Sequence, residues 1–138
     1  MSPVEINRIV GAGLLVLIWL VQLVIYPAFH AIEPAGFRAW HAGYTAAVTW
    51  VVAPLMLLQA GLAVWLWIAG AGPRWLLVAN AGLILLAWGV TFAVSIPCHE
   101  ALQRELSPRV IDHLVRTNWL RTAAWTLTFL VSLALRPR

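Results

Sequence analysis

The sequence contains no lysine and only one cysteine, and only 10% of its 138 residues are charged. A soluble domain has about a quarter of its residues charged, so this low charge content argues against a water-soluble protein. The single cysteine, Cys98, excludes an internal disulfide and a cysteine-rich metal site. The nine basic residues are arginines scattered along the chain, and no nucleic-acid-binding motif is present. We therefore expect no nucleic-acid partner.

Hydrophobic residues make up 62% of the chain, and the mean hydropathy is +0.86. Four apolar segments are each long enough to cross the hydrocarbon core of a bilayer as a helix: residues 9–29, 48–68, 76–96 and 119–135. The N-terminal residues lack a charged region followed by a small-residue cleavage site, so the first segment is expected to be retained. The predicted fold class is all-α, an integral membrane antiparallel four-helix bundle. We expect a single transmembrane domain over residues 1–138.

The links between these segments differ in length. Residues 69–74 form a short turn, whereas the other two links are long and polar. The second helix is expected to begin near Pro34, because proline is tolerated at the first helical position. A separate short helix is expected over residues 108–117, with Ser107 as its N-cap. Pro97 is expected to kink or end the third helix.

Antiparallel topology places both termini and the short turn on one face of the membrane, which we call the N-terminal side. The opposite face, the histidine side, receives all four histidines: His30, His41, His99 and His113. Four arginines fall on the N-terminal side, Arg8, Arg74, Arg136 and Arg138, against five on the other. This count does not set the orientation. We expect a cytoplasmic N-terminal side because its turn and tails carry arginine with few acids, which makes the histidine side periplasmic.

Polar residues recur at helical spacing on all four segments. Residues four apart share a helix face, which gives four stripes: Gln22, Tyr26 and His30; Phe37, His41 and Thr45; Thr91, Ser95 and His99; and His113, Thr117, Arg121 and Trp125. We expect these stripes to form a pocket at the histidine side that binds a lipophilic small molecule. The predicted ligand-binding residues are Tyr26, Tyr44, Trp125, Gln22 and Trp119.

The predicted catalytic residues are His41, His99, Arg121 and Asn118. Either histidine has the basicity of a general base near neutral pH. Arg121 and Asn118 carry the donors that hold an oxyanion or enolate. The chemistry that fits is proton abstraction from a lipophilic phenol, quinol or ketone.

Simpler roles remain open for several of these residues. His30 and His113 suit a polar surface, and Asn118 suits the cap of the fourth helix. No metal-binding spacing is present in the sequence, and no cofactor is required by it. If a metal or haem is bound, His41 and His99 are the best pair of ligands.

Arg121 falls about one turn inside the fourth apolar segment. An arginine inside a bilayer is costly unless it is paired, so we expect it to point into the bundle. The expected partners are Glu100, Glu33, Tyr26 or a bound anion.

Two classes of function are consistent with this pattern. The first is a membrane oxidoreductase or oxygenase, cofactor-independent or dependent on a histidine-bound metal, acting on an aromatic or quinone-like substrate. The second is a non-catalytic accessory or scaffold subunit of a larger membrane complex. Beyond the lipid bilayer and a lipophilic ligand, the sequence leaves open a homo-oligomer or such a complex.

Four short motifs also carry a resemblance to known proteins: Tyr26-Pro27-x-Phe29, Phe37-x-x-Trp40-His41-x-x-Tyr44, Pro97-x-His99-x-x-Leu102 and Asn118-Trp119-x-Arg121-Thr122-x-x-Trp125. Together they resemble small four-helix bacterial membrane proteins and, more distantly, the anthrone-oxygenase-like family. The resemblance implies a four-helix fold, a bacterial inner-membrane location and oxidation of a polycyclic aromatic substrate without a bound cofactor. It also supports Asn118 and Arg121 as site residues. His99 stands where that family carries asparagine.

Overall fold

A computed structural model describes residues 1–136. These residues form four helices, α1 (Pro3–Ala31), α2 (Pro34–Ala69), α3 (Arg74–Arg104) and α4 (Pro108–Ala134), and no strand. Helix α4 packs against both α1 and α3, and α2 packs against α1. The predicted all-α antiparallel four-helix bundle is confirmed. Arg138, which we assigned to the N-terminal side, lies outside the described residues.

Local sequence accounts for the ends of the first two helices. The Ser2 hydroxyl accepts a hydrogen bond from the Glu5 backbone N–H, and the Glu5 carboxylate accepts one from the Ser2 backbone N–H, a capping box. Helix α2 begins at Pro34, as predicted. It ends at Ala69, and the next residue, Gly70, has a φ of 58°, a left-handed conformation that costs glycine little. The chain then turns directly into α3.

The fourth helix is longer than predicted. Ser107 does hold the N-cap position, but its side chain makes no capping hydrogen bond. The helix that starts at Pro108 does not stop at residue 117 and runs unbroken to Ala134. The expected separate helix over 108–117 is therefore wrong, because no helix-breaking residue follows it. Asn118 consequently lies in the middle of a helix and does not cap one.

Helices α1 and α3 share an irregularity near a proline. Five-residue π turns, Val21–Ile25 and Thr91–Ser95, come shortly before Pro27 and Pro97. Proline lacks an N–H and its ring clashes with the carbonyl four residues earlier, and a wider turn relieves that clash. The third helix therefore does not end at Pro97 but continues to Arg104.

The outer surface of the bundle exposes large apolar side chains, while several polar side chains are buried inside among the apolar core residues. Leu85 and Trp50 are 70% and 82% exposed, whereas Arg121 and Asn118 are 6% and 0% exposed. Helices α1, α2 and α3 are long and apolar enough to cross a membrane. Helix α4 has 27 residues, a length of about 40 Å, but polar residues on its buried face lower its hydropathy. The protein is an integral membrane protein.

Side-chain and backbone contacts hold the N-terminal side together. The Arg8 guanidinium donates to the carbonyls of Ser132, Leu133 and Leu135 at the end of α4. The Ser132 carbonyl also accepts from the Leu135 N–H at 3.3 Å. The last carbonyls of a helix lack regular helical partners, so the arginine satisfies them and complements the helix dipole. The Arg136 backbone N–H donates to the Ala71 carbonyl at 3.1 Å. The N-terminus, the short turn and the end of α4 therefore meet at one side.

Candidate functional site

A cavity of about 400 Å³ lies between α2 and α3, at the level of the Thr91–Ser95 π turn. Most of its wall is aliphatic or aromatic. The polar wall residues come from all four helices: Tyr26, Tyr44, Thr49, Thr91, Ser95, His99 and Arg121. An apolar cavity with a few convergent polar groups is the usual composition of a small-molecule site.

The mouth of the cavity faces the surrounding lipid. Leu57, Phe92 and Ile96 line the cavity and are 62%, 58% and 39% exposed on the outer surface of the bundle. Helix α2 contacts α3 in the segments on either side of the π turn, Arg74–Val90 and Ile96–Arg104. The gap between these two regions therefore gives a molecule dissolved in the bilayer lateral access to the polar wall.

A chain of hydrogen bonds leads from the histidine side to the cavity. The Gln103 amide contacts Nδ1 of His41. Nε2 of His41 lies 3.0 Å from Nδ1 of His99, and Nε2 of His99 lies 3.1 Å from the hydroxyl of Tyr26. His41 is fully buried, while His99 and Tyr26 line the cavity. Each imidazole thus uses both ring nitrogens within the chain.

The amide of Gln103 sets the direction of this chain. Its nitrogen also lies 3.5 Å from the Arg38 backbone carbonyl, which only accepts, so this atom is the donor. His41 then accepts at Nδ1 and donates from Nε2 to His99. His99 donates from its own Nε2 to Tyr26. The Tyr26 O–H is left free to donate into the cavity.

Aromatic rings fix the orientation of the two imidazoles. Phe37 stacks on His41 with the ring centroids 5.3 Å apart, and Phe29 meets both histidines edge-on at 5.5 and 6.2 Å. Phe29 and Phe37 are themselves fully buried. Because these rings are locked by packing, the imidazoles are held in position before any ligand arrives.

Arg121 forms the other polar wall of the cavity. Its Nη1 donates to the Ser95 hydroxyl at 3.2 Å and to Oδ1 of Asn118 at 3.3 Å. Its guanidinium carbon lies 5.0 Å from the centroid of the Trp125 ring, a cation–π contact. The Nε atom is buried and has no hydrogen-bond partner. All contacts that hold this guanidinium therefore come from neutral groups.

The expected carboxylate partners of Arg121 are wrong. Glu33 and Glu100 are exposed, and so are the three other acids of the sequence. Within residues 1–136 the one close contact between a basic side chain and a carboxylate joins Nε2 of His30 to Oδ1 of Asp112 at 2.9 Å, at the surface of the histidine side. Ser95 and Asn118 lie closer to the guanidinium because both belong to helix faces that point inward.

A second hydrogen-bond network, centred on Gln22, contacts Arg121 through Asn118. Oε1 of Gln22 accepts from Nδ2 of Asn118 at 2.9 Å and from the Thr122 hydroxyl at 3.2 Å, and Nε2 of Gln22 donates to the Val115 carbonyl at 3.0 Å. Gln22, Asn118 and Thr122 are all buried. This network orients the Asn118 amide so that its oxygen faces the guanidinium.

The structure brings most of the predicted site residues to this region. Tyr26, Tyr44, His99 and Arg121 line the cavity, and the others stand directly behind them: His41, Gln22, Asn118 and Trp125. Trp119 does not belong to this group. It is 46% exposed on the outside of the bundle, where its ring meets Trp19 edge-on at 5.7 Å. His30 and His113 are exposed, as their simpler interpretation predicted.

His41 and His99, the two predicted metal ligands, are joined to each other by a hydrogen bond. Within residues 1–136, no group of three or more His, Cys, Asp or Glu side chains is placed to hold a metal ion. A metal bound to His41 or His99 would have to displace their shared hydrogen bond and take further ligands of other types. The residues present fit a hydrogen-bond chain better than a metal centre.

Gln103 and Trp88 did not figure among the predicted site residues, and Ser95 figured only as a member of the stripe of Thr91, Ser95 and His99. Gln103 lies four residues after His99 on one helix face, and a third helix that ended at Pro97 would not place it there. Ser95 lies four residues before His99 on the same stripe. Trp88 lines the cavity, and its buried Nε1 has no partner, which no sequence pattern reveals.

We compared the chain with protein families, curated proteins and solved structures to identify relatives with a similar site. The chain matches no protein-family model, no curated protein and no solved structure. The resemblance to the anthrone-oxygenase-like family therefore stays a prediction.

Proposed function

We propose that this protein binds a lipophilic small molecule that enters the cavity from the bilayer, with an oxygen of the ligand placed against Tyr26 and Arg121. The observation that carries the proposal is the cavity itself, which is open to lipid on one side and lined by donors on the other. An aromatic or quinone-like molecule fits the apolar wall and the donor-rich end.

The hydrogen-bond chain supports proton exchange with that oxygen. Tyr26 donates to the ligand, and His99 passes a proton between Tyr26 and His41, the last group of the chain that can hold it, because the Gln103 amide does not ionise. The chain runs in the opposite direction when the Gln103 oxygen faces Nδ1 of His41 and each histidine carries its proton on Nδ1. Tyr26 then accepts a proton from the ligand oxygen and passes its own to His99, which passes one to His41, so that His41 ends as the imidazolium. Oxidation of a phenol or quinol releases protons and electrons: the histidines would take the proton, and a quinone or dioxygen molecule dissolved in the bilayer would take the electrons. We therefore propose a membrane oxidoreductase as the enzyme class.

Saturable binding of 2-ethylanthraquinone, a neutral polycyclic quinone, tests the site. Wild-type protein in lipid nanodiscs is expected to bind one tritiated molecule above the background of empty nanodiscs. Ala53→Phe places a ring inside the cavity and is expected to abolish this binding, because Ala53 lines its wall. Leu58→Phe, on the exposed face of the same helix, is the matched control and is expected to bind normally.

The same measurement separates the proposal from its alternative. Equal binding by the two variants would contradict a site in this cavity. Absence of saturable binding, together with a stoichiometric partner that co-purifies with the chain, would instead support an accessory subunit. For location, we propose a bacterial inner membrane with the histidine side in the periplasm, on the resemblance and arginine pattern described above.

A further inference from the structure

The positive charge of Arg121 is not balanced by any acid near the cavity. Among the described lining residues, Arg121 alone carries a permanent charge and none is acidic. The side chain is 94% buried, since only 6% of its surface is exposed. Burying a charge in an apolar region is unfavourable unless an opposite charge or a full set of hydrogen bonds compensates it. Here the buried Nε lacks a partner, so the compensation is incomplete.

Hydrogen-bond donors predominate on the part of the polar wall that Tyr26, Trp88, Ser95 and Arg121 form. Tyr26 has a free O–H because its oxygen already accepts from His99. The indole Nε1 of Trp88 is buried without a partner. The Ser95 oxygen accepts from Arg121. A ligand oxygen with available lone pairs satisfies these donors, whereas the free acceptors of the lining include the hydroxyl oxygens of Thr49 and Thr91, which donate to backbone carbonyls.

We propose that the ligand is bound as an oxyanion, a lipophilic acid whose deprotonated oxygen pairs with Arg121 and accepts from Tyr26. This inference rests on the proposed function and specifies the charge of the bound molecule. A neutral ligand leaves the guanidinium charge unpaired, whereas an oxyanion neutralises it where water is excluded. The ligand class is an acidic phenol or enol on an apolar ring system, or a long-chain carboxylate.

The ionisation state of a bound chromophore tests this directly. A lipophilic alkyl-nitrophenol is colourless when neutral and yellow as the phenolate. At a pH where the probe is neutral in empty nanodiscs, wild-type protein is expected to turn a stoichiometric amount of it yellow. If the probe binds and stays colourless, the oxyanion inference is overturned while the proposed function stands. If neither this probe nor 2-ethylanthraquinone binds saturably, the proposed function itself fails.

Substitution of Arg121 provides the second measurement. Arg121→Gln is expected to weaken binding of the phenolate by about 10- to 100-fold, the range for a hydrogen bond to a charged group. Arg121→Lys keeps the charge and is therefore expected to recover part of the lost affinity. The recovery is expected to be incomplete because lysine lacks the planar fork of donors. Arg116→Gln, at an exposed position of the same helix, is expected to bind like the wild type. Equal weakening in Arg121→Gln and Arg116→Gln would overturn the pairing.

Competition distinguishes the two sources of the oxyanion. Palmitate is expected to displace the phenolate if the cavity takes long-chain carboxylates, and its methyl ester is not. Displacement by a second acidic phenol but not by palmitate assigns the site to phenols. Displacement by the methyl ester as efficiently as by palmitate would show that charge plays no part and overturn the inference.

Discussion

Replacing Trp125 by alanine is expected to lower the free energy of unfolding by about 3 kcal/mol, the lower end of the range for Trp→Ala in protein cores. Trp125 is 1% exposed, lies against the Arg121 guanidinium, and donates from Nε1 to Oε1 of Gln59 at 3.2 Å. The lower end applies because lipid is as apolar as the interior, so the loss comes mainly from packing and hydrogen bonding.

Trp50→Ala is the matched control for this substitution. Trp50 is 82% exposed, and its removal is expected to change the stability by less than about 0.5 kcal/mol. Unfolding of both variants in mixed micelles, with increasing fractions of denaturing detergent, measures the difference. Equal stability of the two variants would show that Trp125 does not support the site as the structure indicates.

The second large effect is expected at His99, the middle of the hydrogen-bond chain. His99→Leu interrupts the connection between His41 and Tyr26 and is expected to slow ionisation of the bound nitrophenol by about 10²- to 10⁴-fold, the range for a positioned acid or base. Equilibrium binding depends mainly on Arg121, so the affinity is expected to change far less than the rate. Stopped-flow absorbance of the phenolate separates the two quantities.

His113→Leu controls for the loss of a histidine as such. His113 is exposed on α4 and contributes nothing to the chain of hydrogen bonds. Its replacement is expected to leave the rate unchanged. A rate in His99→Leu equal to that of the wild type would mean that protons reach the ligand by another path.

The four-helix fold could be predicted from the sequence because short stretches of the chain determine where each helix begins and ends. Apolar segments of bilayer length, the proline at position 34 and the glycine at position 70 determine where helices run and turn. The convergence of Tyr26, His41, His99 and Arg121 also followed, because residues four apart share a helix face.

The cavity opening and the partners of Arg121 depend on how the helices pack against one another. The spacing of polar residues along the sequence carries no information on that packing. The opening between α2 and α3 arises because these two helices are separated at the level of the Thr91–Ser95 π turn. The neutral partners of Arg121 depend on the same packing, since Ser95 comes from α3 and Asn118 from the preceding turn of α4. Because no carboxylate faces Arg121, its removal leaves no lone negative charge. The cost of about 3–5 kcal/mol for breaking a buried ion pair therefore does not apply to the protein without ligand.

Photo-crosslinking tests most directly whether the cavity between α2 and α3 is the ligand site. A lipophilic phenol with a diazirine on its alkyl chain is irradiated with the protein in nanodiscs, and the adducts are mapped by mass spectrometry. We expect adducts on cavity residues such as Val52, Met56 and Phe92, suppressed by excess unlabelled phenol and absent in Ala53→Phe. Adducts spread evenly over lipid-facing residues such as Val51, Leu58 and Leu85, and unaffected by competitor, would contradict a ligand site in this cavity.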